Sequence, residues 1–438
     1  MKRRCTAIVA FAAGALGCGA EHAPPVPLGV NPHPVQLVRP AAAPLSATAR
    51  LGRAMFFDAR LSGTGQLSCA SCHSPDHAYG PPNDRAVQLG GPSGRDQGMR
   101  AAPSLRYLDR VPNFSIGPDT PEAEHVNLGA SAARNAGVAR AAKTAGAPAA
   151  AAAAMVPRGG LFWDGRVNTL QTQAMGPLFN PVEMANTDTA RLAARLRAAY
   201  GARLATLFGR QTVADPRRLI DEALFAVARF EIEDPSFHPY SSTYDAYLEG
   251  RAVLAPAAAR GLALFDDPRK GNCAACHLDT PGPDRRPPMF TDYQYEALGV
   301  PRNTRLRQNR DPAYFDLGLC GPVRTDLARQ PQYCGMFRTP SLRNVATRRA
   351  FFHNGVYGTL QQVLEFYAFR GPRPERVYPR ARDGTLRTYD DLPPRDRGNV
   401  DTADAPFDRR VGQASALSAG DIRDLLAFLG TLTDGGRP

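Results

Sequence analysis

Two short stretches of this 438-residue chain have the residue types and spacing for covalent cofactor chemistry: Cys69-Ala-Ser-Cys72-His73 and Cys273-Ala-Ala-Cys276-His277. In a C-x-x-C-H motif, two thiols separated by two residues match the vinyl groups on one porphyrin edge. The histidine that follows reaches under the iron as proximal ligand. A thioredoxin-like dithiol or half of a zinc site would also use the two cysteines, but neither needs a histidine directly after the second one. The motif occurs twice, so the chain is expected to carry two covalently bound c-type haems, held by Cys69, Cys72, His73, Cys273, Cys276 and His277.

The remaining residues set the context. Lys2, Arg3 and Arg4 precede a short apolar run, Thr6 to Gly17, which reads as an export signal over residues 1–20. No other run approaches the length of a membrane span. The expected location is the periplasm. Ala15-Leu16-Gly17-Cys18 is an imperfect lipoprotein cleavage box; its use would put lipid on Cys18 and make the Pro-rich linker, 21–46, a membrane tether. Cys320 and Cys334 remain after the signal and haem cysteines are set aside, and in an oxidising compartment they suit a disulfide. The net charge of +12 is almost all arginine, with lysine only at 2, 143 and 270. No basic tract interleaved with aromatics is present, which argues against nucleic-acid binding.

The elements that must position the motifs form an internal repeat. Leu51-Gly52-Arg53-Ala54-Met55-Phe56 precedes the first motif and Arg260-Gly261-Leu262-Ala263-Leu264-Phe265 the second, so Gly52 matches Gly261 and Phe56 matches Phe265. Each stretch reads as an amphipathic helix whose apolar face would pack on a haem. Further helices are expected over Thr189–Phe208, over Pro216–Ile232 behind an Asp215 cap, and over Ser418–Leu432. Strand signals are sparse. The expected fold is all-α, with two tandem cytochrome c-like haem domains joined by long loops, over 47–240 and 245–438. An Ala-rich insertion is expected near 129–154 and a polar loop over Pro393–Arg410.

Two haems alone would suit a non-enzymatic electron carrier. The stretch from Gly159 to Met184 (GGLFWDGRVNTLQTQAMGPLFNPVEM) supplies more, as does TPSLRNVATRRAFFHNG over Thr339–Gly355. With the haem motifs, these segments resemble the bacterial di-haem cytochrome c peroxidase family, which also contains the MauG-type maturation enzymes. The resemblance covers roughly Ala49 to Leu432.

It implies that Trp163, the only tryptophan, lies between the haems as an electron relay; on the residues alone it reads equally as a packed core side chain. It implies that Gln173 and Glu183 face peroxide over the haem of His73, with Glu183 as general acid/base. Taken without the resemblance, Glu183 reads as a helix-capping residue. For the iron of His277, Met289 and Met336 are candidate sixth ligands by distance. The resemblance instead selects Tyr367, 14 residues after His353, which is the MauG-type arrangement. Where activated peroxidases carry a ligating histidine on the first haem, this chain has Leu89, so an open iron is expected; His77 is too near to return over the far face.

The resemblance also implies an inter-domain calcium ion, but the matching positions read Ala101, Arg348 and Ala350, which makes calcium doubtful. The implied activity is reduction of hydrogen peroxide with electrons from a small donor protein, a cytochrome c or cupredoxin. The alternatives are a MauG-like oxidase acting on a partner protein and the plain carrier.

Overall fold

The computed structural model describes residues 27–118 and 155–436. The signal, Cys18 and the Ala-rich stretch from 129 to 154 lie outside the described residues. The helices are α1 Ala47–Phe56, α2 Cys69–Cys72, α3 Leu170–Phe179, α4 Thr189–Phe208, α5 Arg210–Ala214, α6 Pro216–Glu233, α7 Thr243–Leu248, α8 Pro256–Asp266, α9 Leu360–Phe369 and α10 Ala419–Gly430. Long loops and short 3₁₀ turns connect them, including one over Pro394–Asn399 in the polar stretch.

The described strands form three antiparallel pairs: β1 Leu89–Gly90 with β2 Asp96–Gln97, β3 Ser115–Pro118 with β4 Met155–Arg158, and β5 Tyr295–Glu296 with β6 Phe337–Arg338. The structure is therefore helix-rich, as expected, with small sheets added at the loops. Helix starts follow their caps: Asp188 and Asp215 accept backbone N–H groups at the heads of α4 and α6, and Ser418 closes a capping box on α10.

Two hydrophobic cores form around equivalent helix pairs. In the first, α1 crosses α6 so closely that a Cβ on Gly52 would lie 1.8 Å from the Ala226 carbonyl oxygen. In the second, α8 crosses α10, and a Cβ on Gly261 would lie 2.0 Å from the Asp424 oxygen. One turn on, Phe56 meets Phe230 edge-on at 5.5 Å, and Phe265 meets Phe428 at 5.1 Å. The repeat thus places the same crossing in both halves, because only glycine lets two helix backbones approach this closely. The apolar face of α1 was expected on a haem; most of it packs on α6 instead, with Met55 left beside Cys69.

The linker expected over 21–46 does not hold for its described part. Leu37 is buried in the second core, Val35 and Val38 bond to the backbone of Leu248 and Arg285, and Arg39 pairs with Glu249. Apolar side chains and backbone pairing fix this segment despite its prolines. Cys320 and Cys334 are joined as a disulfide.

Candidate haem and peroxide site

Both motif histidines are held the same way. Nδ1 of His73 lies 3.1 Å from the Tyr79 carbonyl, and Nδ1 of His277 lies 2.8 Å from the Phe290 carbonyl. Such a bond fixes the tautomer and leaves Nε2 free to bind iron. Burial lowers the pKa of both rings, that of His73 to about 4, so both are neutral donors at physiological pH. None of the four motif cysteines is in a disulfide. Cys273, Cys276 and His277 line a cavity of about 280 Å³ together with Leu364 and Tyr367. Thiols outside any disulfide, a neutral imidazole with one nitrogen committed, and an apolar cavity fit a covalently attached haem.

The two anchors share a further sequence signal: Pro103-Ser104-Leu105-Arg106 recurs as Pro340-Ser341-Leu342-Arg343. Ser104 Oγ donates to the carbonyl of Ala78, next to Tyr79. Ser341 Oγ donates to the carbonyl of Met289, next to Phe290. The Pro103 and Pro340 carbonyls also face the His73 and His277 rings. Each copy therefore braces one histidine.

Trp163 joins the copies at equivalent positions. Its indole N–H donates to the Ala101 carbonyl at 2.8 Å, and its own carbonyl accepts the Arg338 N–H at 2.9 Å. Ala101 stands two residues before Pro103 and Arg338 two before Pro340. Trp163 also lines the His277 cavity.

On the His73 side, α3 carries Gln173, 7% exposed, and its Ala174 and Leu178 line a small cavity of about 30 Å³ with Cys69 and Met184. Glu183 sits in the turn after α3 rather than at a helix start, so the capping alternative does not apply. Its charge reaches Cys72. Burial raises the Glu183 pKa, against the opposing pull of Arg166 and a bond from Asn180. Arg166, which carries no role in the sequence pattern by itself, pairs with Asp164 at 2.8 Å and lies 3.5 Å above the Phe162 ring. Leu89 stands in β1, and Gly91 N–H bonds to the Glu183 carbonyl; a Cβ on Gly90 would lie 2.6 Å from the Val182 oxygen. His77 turns to Ser74.

On the His277 side, Tyr367 lines the cavity, stacked on Phe407 at 5.0 Å, and among the described residues nothing hydrogen-bonds its hydroxyl. Burial raises its pKa. Met289 packs with Tyr107 and Tyr240 beside the carbonyl that holds His277, and Met336 packs against Tyr295 and Leu319, outside the cavity.

The positions matched to calcium do not fit the ion. The Ala101 carbonyl accepts the Trp163 indole, the Arg348 carbonyl accepts an Arg349 N–H at 3.3 Å, and the Ala350 carbonyl accepts the Arg348 guanidinium at 3.2 Å. Ala101 has no side-chain oxygen to offer, and the Arg348 guanidinium puts a positive charge beside the Ala350 carbonyl. Among the described residues no three His, Cys, Asp or Glu side chains cluster as metal ligands.

A helix-rich fold with paired C-x-x-C-H anchors and a buried carboxyl beside one of them defines a di-haem c-type cytochrome with an enzymatic site. Residues 46–253 match the family described as di-haem cytochrome c peroxidase. The chain is 31% identical to methylamine utilization protein MauG of Paracoccus denitrificans over 89% of each chain, and 26% identical to cytochrome c551 peroxidase of Nitrosomonas europaea over 80% of this chain and 81% of that one. It is also similar to the solved diheme peroxidase BthA of Burkholderia thailandensis, with TM-score 0.76 and 37% identity over 90% of this chain and 88% of that one. This chain belongs to the di-haem cytochrome c peroxidase and MauG family. It is an oxidoreductase acting on peroxide with two covalently bound haems, which sets the plain-carrier alternative aside.

Proposed function

We propose that this protein is a periplasmic peroxidase that reduces hydrogen peroxide to water, with peroxide bound at the haem of His73. The observation that carries this is Glu183, a buried carboxyl of raised pKa beside Cys72, on the turn that follows the Gln173 helix. Haems held at these motifs would supply the electrons for splitting the O–O bond. Glu183 takes the proton from the near oxygen and delivers it to the far one, so that water leaves. Gln173 orients the peroxide by hydrogen bonding, and Arg166 keeps Glu183 from remaining permanently protonated. Leu89 offers no ligand, so an iron held by His73 would take peroxide without prior activation. Trp163 relays electrons between tandem haem domains, 47–240 and 245–438. Tyr367 would hold the second iron, and its phenolate would favour ferric over ferrous. A cytochrome c or cupredoxin supplies the electrons, and lipid on Cys18 would tether the enzyme to the membrane.

Tyr367 and the similarity to MauG favour a second reading, an oxidase that modifies a partner protein. Steady-state turnover with reduced cytochrome c and peroxide separates the two: rapid turnover supports the peroxidase, whereas negligible turnover with a long-lived oxidised state supports the oxidase. Under either reading, Glu183→Gln should slow the reaction with peroxide about 10²–10⁴-fold at unchanged haem content. The pH dependence carries a sign. Glu183 must be ionised to accept the first proton, so the rate falls as pH drops through its raised pKa, and E183Q abolishes that acid limb. A wild-type rate in E183Q would remove Glu183 from the mechanism.

A further inference from the structure

The buried arginines of this protein do not all have carboxylate partners. Arg100 lies between Asp164 and Asp316, and Arg343 pairs with Asp245. Among the described residues Arg348, part-buried, has none. Its guanidinium donates to the carbonyls of Ala102 and Ala350, each at 3.2 Å. Loss of water around it lowers its pKa, to about 10, with no described acidic side chain acting against that. A guanidinium partly withdrawn from water without a counter-anion costs the fold stability. A fold retains such a charge where something absent from the polypeptide pairs with it.

The location says what that is. Arg348 lines the cavity shared by His277, Tyr367 and Trp163, and its charge also reaches the His73 ring. Three consecutive carbonyls tie it to the rest of the path: Ala101 holds the Trp163 indole, Ala102 holds Arg348, and Pro103 faces His73. The groups that enter this seam with the two haems and carry negative charge are the haem propionates. At the positions matched to a metal ion, Ala101 offers no side-chain oxygen and Arg348 already brings a positive charge.

We propose that Arg348 is a built-in cation at the seam between the two haem sites, binding a haem propionate where relatives would place a metal ion. A planar guanidinium suits a carboxylate geometrically and stays charged when buried. Its positive charge would favour the ferrous form of an iron held by His73, the ring that its charge reaches. This inference rests on the haem content and not on the choice between peroxidase and oxidase, so kinetic failure of either reading leaves it standing.

The test uses the full-length holoprotein and reads potentials and metal content rather than turnover. Wild type should hold no stoichiometric calcium, and a chelator or added calcium should leave both midpoint potentials unchanged. Arg348→Gln should shift the ferric-to-ferrous ratio of the His73 haem at fixed poise at least tenfold towards ferric, which is 59 mV for one electron. Arg348→Lys, which keeps the charge, should recover most of that shift. An unchanged potential in fully haem-loaded R348Q overturns the proposal, as does wild-type calcium whose removal shifts the potentials. Should R348Q fail to load haem, resonance Raman spectra of wild type and R348K decide: the propionate bending band of one haem moves if a propionate meets this side chain, and an unmoved band sinks the idea.

Discussion

Trp163 shows how a single residue gains significance from its bonds rather than its type. Its side chain bonds to Ala101 and its backbone to Arg338, the equivalent residues of two copies of one histidine-bracing segment. A tryptophan that merely filled the core would not need to hold both. Trp163→Phe keeps an aromatic ring but removes the indole N–H and raises the cost of oxidising the side chain. With peroxide added to the fully ferric protein, stopped-flow spectra should show the His277 haem responding at least tenfold more slowly, while the first encounter at the His73 haem keeps its rate. An unchanged response at both haems would return Trp163 to a packing role. Glu183 and Gln173 were legible only through the resemblance, because an isolated carboxyl after Asn180-Pro181 has no local mark of catalysis. Arg166 was in the quoted motif but gains meaning only where its charge meets Glu183.

At the level of elements, the α1–α6 and α8–α10 crossings are the same device twice, yet one position differs. With Ala226 matching Asp424 and Phe230 matching Phe428, Glu231 of α6 corresponds to Leu429 of α10. Leu429 is ordinary core. Glu231 is 5% exposed with one carboxyl oxygen unpartnered, and burial pushes its pKa up to about 8. A folded-state pKa raised above the unfolded value of about 4.3 means that between those values the folded protein holds a proton the unfolded chain has released. Stability therefore falls as pH rises across that window, and the penalty is complete above pH 8, at about 5 kcal/mol. Glu231→Gln should raise the thermal midpoint at pH 9 by several degrees and leave it nearly unchanged at pH 4.5. An equal shift at both pH values would show that the carboxyl does not carry the effect. The helices expected over Thr189–Phe208, Pro216–Ile232 and Ser418–Leu432 were legible from periodicity and caps, to within two residues at their ends; the two repeat helices begin four residues earlier than their repeat suggested. The small sheets were not, since strands of two to four residues are too short to show alternation.

Across the whole molecule, buried arginines lock distant segments together. Arg100 bonds Asp164 at 2.8 Å and Asp316 at 2.7 Å, linking the loop before the first Pro-Ser-Leu-Arg copy, the tryptophan motif and the loop that carries the disulfide. Truncating it leaves the buried Asp316 without an ion-pair partner and Asp164 with Arg166 alone. Arg100→Ala should cost about 3–5 kcal/mol, read as a lower denaturation midpoint, and should loosen the inter-haem seam enough to slow peroxide turnover. A loss under 1 kcal/mol would mean water enters to solvate the acids. The described part of the N-terminal stretch, Pro-rich and expected to be free, is held by Leu37 in the second core and by Arg39 on Glu249. Composition suggested a tether; long-range burial of one leucine and one ion pair overrode it.

The sequence by itself determined the cofactor chemistry, because thioether attachment and the proximal ligand are encoded within five consecutive residues. It also determined the paired helices, since glycine and phenylalanine recur at one spacing before each motif. Only the tertiary structure decided what lies between the haem sites. Trp163 meets Ala101 and Arg338 across 62 and 175 positions of chain, and Arg348 reaches Ala102 across 246. Contacts of that separation depend on how the loops close over the two cores, not on local preference. The same closure explains why Arg348, one basic residue among many in the sequence, becomes a part-buried charge with no carboxylate partner among the described residues: only the folded chain shows which groups are near.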